Sequence, residues 1–146
     1  MQPRLQNLVL LFALGTLLLG GVSCGGDDSS DNETEDSEVS GLYEGSQGVV
    51  FDLGIDPDPP QAGEVELIME ISQDDQPIEE ATIEVEPWMP AHGHGANTEA
   101  VVHEVGDGVY EVDDLSFSMP GHWELAIDLE AQQTDSTLVV ELDVEG

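Results

Sequence analysis

The sequence predicts an all-β fold, an immunoglobulin-like antiparallel β-sandwich of about seven strands, preceded by a signal peptide and a disordered acidic tether. Three observations lead there. Short runs rich in Val, Ile and Leu begin at Val49 and recur to the end of the chain, separated by Gly, Pro, Asp and Asn at roughly the 8 to 14 residue spacing of sandwich strands. Several runs alternate: Ile83 and Val85 oppose Glu84 and Glu86, while Leu125, Ile127 and Leu129 oppose Glu124, Ala126 and Asp128. That is the period of a strand with one buried face. No sustained period of 3.6 is present, so helix content is expected to be low.

The chain opens Met1-Gln2-Pro3-Arg4 and is mostly apolar over residues 5–19. This is short of the roughly 20 residues a membrane span needs, and its order of basic, apolar and small residues is the export pattern. Residues 1–23 are therefore read as a signal peptide. Gly20-Gly21-Val22-Ser23-Cys24 resembles the bacterial lipobox, with Gly21 where Leu is more usual. The resemblance implies cleavage before Cys24 and acylation of its thiol, so that lipid holds the mature chain at a membrane. Ordinary secretion with an unmodified Cys24 is the alternative. Gly25 in place of Asp points, in a Gram-negative cell, to the periplasmic face of the outer membrane; the expected location is the bacterial cell envelope, outside the cytoplasm. Residues 24–48 are Gly, Asp, Ser, Asn, Glu and Thr with few apolar side chains, a composition that cannot offset the entropy of ordering. They read as a flexible tether of roughly 25 Å average span.

Residues 49–146 are the expected folded domain. Its candidate strands are 49–55, 64–72, 78–87, 98–105, 109–117, 122–129 and 137–144. Asp56-Pro57-Asp58-Pro59-Pro60, Asp74-Asp75-Gln76-Pro77 and Gly106-Asp107-Gly108 supply turns between them. Cys24 is the only cysteine, so no disulfide can form within the domain and stability must come from a core. The chain holds 33 Asp and Glu against one Lys or Arg, for a net charge of −32. Such a surface repels nucleic acid and anionic lipid and concentrates cations. Its simplest meaning is a solvated acidic surface, suited to saline water where counterions screen self-repulsion.

Two segments stand out chemically. Trp88-Met89-Pro90-Ala91-His92-Gly93-His94-Gly95 is echoed by Ser118-Met119-Pro120-Gly121-His122-Trp123, and both contain Met-Pro-x-His. Proline presets the second position of a turn, so each Met and His are expected as its first and last residues. The first segment closes the third expected strand and the second opens the sixth, which are neighbours in an immunoglobulin sandwich. Antiparallel pairing would bring the two turns to one pole, where Met89, His92, His94, Met119 and His122 could converge. Thioether and imidazole together suit Cu(I), and imidazole alone suits Cu(II) or zinc. A blue-copper centre is disfavoured without a cysteine thiolate, and there is no HExxH helix. The competing reading makes each Met core filler beside a good turn and each loop His a solvated side chain. His103, among Val101, Val102 and Val105, reads as structural or exposed. Trp88 and Trp123 read as symmetrical core caps. Ser118 near His122 is too little for a hydrolase, and no catalytic constellation is present, so the chain is not expected to be an enzyme.

The order Met-Pro-x-His-Gly-His-Gly at Met89 to Gly95, then Gly108-Val109-Tyr110, then Phe117-Ser118-Met119-Pro120-Gly121-His122-Trp123, resembles the YtkA-like domain family. These are small exported β-sandwich domains related to the FixH group, often lipoproteins or domains attached to metal-efflux adaptors. The resemblance implies an immunoglobulin-like fold and handling of copper outside the cytoplasm. The first expectation is thus a lipid-anchored protein that sequesters or relays a copper ion, with zinc second, and that passes it to an envelope metal-transport protein. The second is a metal-free interaction module that presents a sheet edge or loops to an envelope partner.

Overall fold

Alternating β-branched and aromatic residues give each run of the domain one face that must be buried, and two such sheets stacked face to face satisfy that requirement. The computed structural model of the protein describes residues 38–146. The expected signal peptide, Cys24 and the tether as far as residue 37 lie outside the described residues. The strands are β1 (Gly41–Glu44), β2 (Val49–Asp56), β3 (Gly63–Glu64), β4 (Glu66–Gln73), β5 (Gln76–Pro77) and β6 (Thr82–Met89). They continue with β7 (His94–Gly95), β8 (Val101–Gly106), β9 (Val109–Asp113), β10 (Ser116–Phe117), β11 (Gly121–Glu130) and β12 (Asp135–Val144). Among the described residues a 3-10 turn spans Ser46–Gly48.

One sheet runs β1-β2-β4-β9-β8, with β5 hairpinned onto β4, and the other runs β12-β11-β6-β7; β3 and β10 form a small separate pair. Without the short strands, the two sheets are β2-β4-β9-β8 and β12-β11-β6. Lettered in chain order these are A-B-E-D and G-F-C, the arrangement of a constant-type immunoglobulin sandwich. The core lies between them. Phe51, Leu53, Leu67, Met69, Ile71 and Tyr110 of the first sheet meet Trp123, Leu125, Ile127, Leu129, Val140 and Leu142 of the second, each at most 4% exposed. Each such Leu or Ile contributes roughly 1.5–3 kcal/mol of burial.

Several boundaries differ from the expectation: the strand expected from residue 98 begins at Val101, the one expected at 64–72 is split into β3 and β4, and three further differences have a visible cause. Residues 41–44, placed in the tether, form β1, and Gly41 to Glu44 pair with Leu53 to Val50 of β2. Asp58 accounts for this: its carboxylate accepts the backbone N–H groups of Val39 and Ser40 at 2.8 and 2.9 Å, and Val39 is buried. Averaged composition hides so short a docking segment. Secondly, β6 begins at Thr82 instead of Ile78, because residues 78–81 leave the sheet to wrap Tyr110. The Tyr110 hydroxyl donates to the Ile78 carbonyl at 2.8 Å and accepts from the Ala81 N–H at 3.2 Å. Thirdly, the expected strand 109–117 is broken at Asp114, whose φ is 58°, into β9 and β10.

Candidate metal-binding pole

The expected neighbourhood of the third and sixth strands is present. β6 and β11 pair antiparallel from Thr82 opposite Glu130 to Trp88 opposite Glu124, so the end of β6 lies beside the start of β11. Both Met-Pro segments therefore sit at one pole of the sandwich.

The first is a true turn. The His92 and Gly93 N–H groups both donate to the Met89 carbonyl, at 3.1 and 2.9 Å, so Met89 and His92 are the first and fourth residues as anticipated. Gly93 closes the loop at φ 67°, a left-handed position that favours glycine. The chain then turns back as β7, placing His94 opposite Met89 and Gly95 opposite Trp88. Directly opposed residues share a sheet face, so His94 lies on the face of Met89, which is 4% exposed and turned to the core. The second segment is a bend in which the Met119 carbonyl accepts the indole N–H of Trp123 at 3.1 Å. Gly121, at φ 133°, follows it and fits under Met89: a Cβ there would lie 2.7 Å from the Met89 Cε.

Around this joint the donors arrange unevenly. The rings of His92 and His94 have centroids 5.7 Å apart, and His94 packs edge-on against Trp123 at 6.1 Å. An imidazole centroid lies roughly 3 Å from an ion bound at about 2 Å, so two rings on one ion stand up to roughly 6 Å apart. The pair fits that range. The Nδ1–H of His94 donates to the Gly95 carbonyl at 2.9 Å, which fixes the tautomer and leaves Nε2 as the lone-pair nitrogen. His94 is half-buried and His92 exposed, so the pair is reachable from solvent. Met89 is buried opposite His94 in the β6–β7 pair, and Met119 packs half-buried against the core next to Trp123.

His122 does not join them. Strand alternation puts it on the face opposite Trp123, and it leans toward β12, where its Nδ1 lies 3.2 Å from the Asp143 carboxylate. Of the five expected donors, His92 and His94 come together, Met89 stands opposite His94 in the β6–β7 pair and Met119 lies beside Trp123, whereas His122 is turned to Asp143, because side chains one residue apart on a strand point to opposite faces. Among the described residues no three His, Cys, Asp or Glu side chains are placed to share an ion. The tryptophans are not symmetrical either. Trp123 is fully buried with its edge on Phe117 at 5.4 Å, whereas Trp88 lies on the outer face and is 38% exposed. His103 is exposed and faces Asp113 at 3.4 Å.

Two contributors were not anticipated, the Gly95 carbonyl that orients His94 and the Asp143 carboxylate that holds His122. Asp143 was readable in principle, since matching β11 to β12 through a short turn sets it opposite His122. The Gly95 carbonyl gave no signal, because any residue carries one. Neither a curated protein nor a solved structure matches this sequence. The profile of the YtkA-like family matches residues 43–128, more than half of the chain and the span that carries both Met-Pro segments: the protein belongs to the YtkA-like family.

Proposed function

We propose that the protein is a lipid-anchored, extracytoplasmic metal-binding module of the cell envelope that holds Cu(I) at the pole where β6 meets β11. His92 and His94 supply imidazole nitrogen, and Met89 and Met119 supply thioether sulfur. The observation that carries this reading is the His92–His94 pair at 5.7 Å with His94 oriented by the Gly95 carbonyl, above a buried methionine. Soft sulfur with imidazole selects Cu(I) over harder ions, and zinc is the second choice. The net charge of −32 draws cations toward the surface without itself forming a site. Acylation at Cys24 would keep the module near a membrane-bound metal transporter, to which a shallow, solvent-reachable pair of histidines could pass its ion.

The test is an anaerobic Cu(I) titration against a chromophoric chelator. The wild type should bind one equivalent, the His92→Ala/His94→Ala variant should lose at least a hundredfold in affinity, and His122→Ala should stay within about twofold of wild type. Equal affinity in the wild type and the double variant would end the proposal.

A further inference from the structure

The antiparallel sheet β12-β11-β6-β7 is incomplete beside the pole. β7 covers β6 only at Trp88 and Met89, with one further bond in which the Ala96 N–H donates to the Pro87 carbonyl at 3.3 Å. Backbone groups of alternate residues point the same way. The N–H and C=O of Ile83 and Val85 therefore face the same side as the Pro87 carbonyl, and no strand pairs with them there among the described residues. They open into a groove of about 590 Å³ between the edge of β6 and β8 of the other sheet. Its walls include the side chains of Ala100 and Val102, half-buried and apolar, and its outer rim carries Glu84, Glu86 and Glu99, all exposed. The groove runs to Gly95 and so ends against His94.

We infer that this groove docks one extended segment of a partner protein, which adds a strand to β6 and carries Lys or Arg at alternate positions. A strand at this edge would bond to the four backbone groups of Ile83 and Val85, put one set of side chains against Ala100 and Val102, and put the other set beside Glu84 and Glu86. Charge selects the partner. The chain's own residues 24–48 are acidic and contain no Lys or Arg, and a second copy carries −32, so neither complements the rim. The other long edge, β12, is less suited: Ser46 caps the Thr137 N–H, and residues Pro60 and Ala62 bond to Glu145. The groove requires no metal, but a segment lying in it would end beside His94, where a donor on the partner could reach the ion.

The test uses a synthetic ten-residue peptide of alternating Val and Lys, added to the metal-free full chain, with amide hydrogen exchange followed by NMR. The peptide should bind saturably and slow exchange at Ile83 and Val85. N-methylation of its alternate amides should weaken binding at least tenfold, as should Glu84→Lys with Glu86→Lys in the protein. The His92→Ala/His94→Ala variant should bind it unchanged, so this result stands or falls apart from copper. Equal binding of the N-methylated peptide, protection along β12 in place of β6, or protection of Ile83 and Val85 by self-association without peptide would each overturn the inference.

Discussion

Trp123 is the residue on which the pole turns, because it joins three of its parts. Its indole N–H donates to the Met119 carbonyl, its ring stands at 74° to that of His94 with centroids 6.1 Å apart, and it is fully buried against Phe117. An ion bound at His94, as proposed, would lie close enough to disturb the indole excited state. In a Trp88→Phe background, copper should therefore quench Trp123 emission stoichiometrically, and the His92→Ala/His94→Ala variant should show no stoichiometric quench. Gly121 acts by what it lacks. Its φ of 133° and the 2.7 Å approach of the Met89 Cε leave no room for a methyl group, so Gly121→Ala should displace Met89 and weaken copper binding while His122→Ala does not. Tyr110 serves the fold alone. Its hydroxyl satisfies both the Ile78 carbonyl and the Ala81 N–H. Tyr110→Phe would leave both unpaired, a loss of about 1–3 kcal/mol in chemical unfolding.

The seven long strands were readable because alternation and turn residues agree about them, and β6 and β11 show why the site was readable only in part. Ile83 and Val85 fix the inward parity of β6, and that parity, carried forward, turns Met89 in and Trp88 out. Leu125, Ile127 and Leu129 do the same for β11, turning Trp123 in and His122 out. The information that turns His122 away from Trp123 and toward Asp143 was thus in the sequence, but the Met-Pro-x-His repeat suggested a symmetry that strand alternation does not keep. What the sequence could not carry is the register of the short strand β7, which depends on where the Met89–His92 turn closes, and the docking of β1, which depends on a carboxylate far along the chain. β1 yields its own test. Partial burial would raise the pKa of Asp58, but hydrogen bonds from the Ser40 side chain and from the Val39 and Ser40 N–H groups outweigh it, leaving the value below normal. A depressed carboxylate pKa stabilises the fold above its unfolded value of about 3.9 and loses that contribution as pH falls through the folded value. Amide exchange at Val39 and Ser40 should therefore be slow at pH 6 relative to the intrinsic rate and lose protection below about pH 4. Asp58→Asn should show the weaker protection at both pH values.

For the molecule as a whole, charge frames what the pole can do. A net charge of −32 on 146 residues pushes the compact state apart unless ions screen it. Raising NaCl from about 10 mM to 1 M, where the screening length falls from roughly 30 to 3 Å, should raise the melting temperature by several degrees. A fall would show that the acidic surface does not limit stability. The sandwich itself has no cysteine within the described residues, so no disulfide supports the pole there, and the proposed donors stand at the joint where β6 and β11 pair over seven residue pairs. The central claim is that this joint holds a soft ion by nitrogen and sulfur together. X-ray absorption of the protein loaded with one equivalent of Cu(I) reads that donor set directly. The expected spectrum contains two imidazole nitrogens at about 2.0 Å and at least one sulfur at about 2.3 Å; a shell of nitrogen and oxygen without sulfur would contradict it.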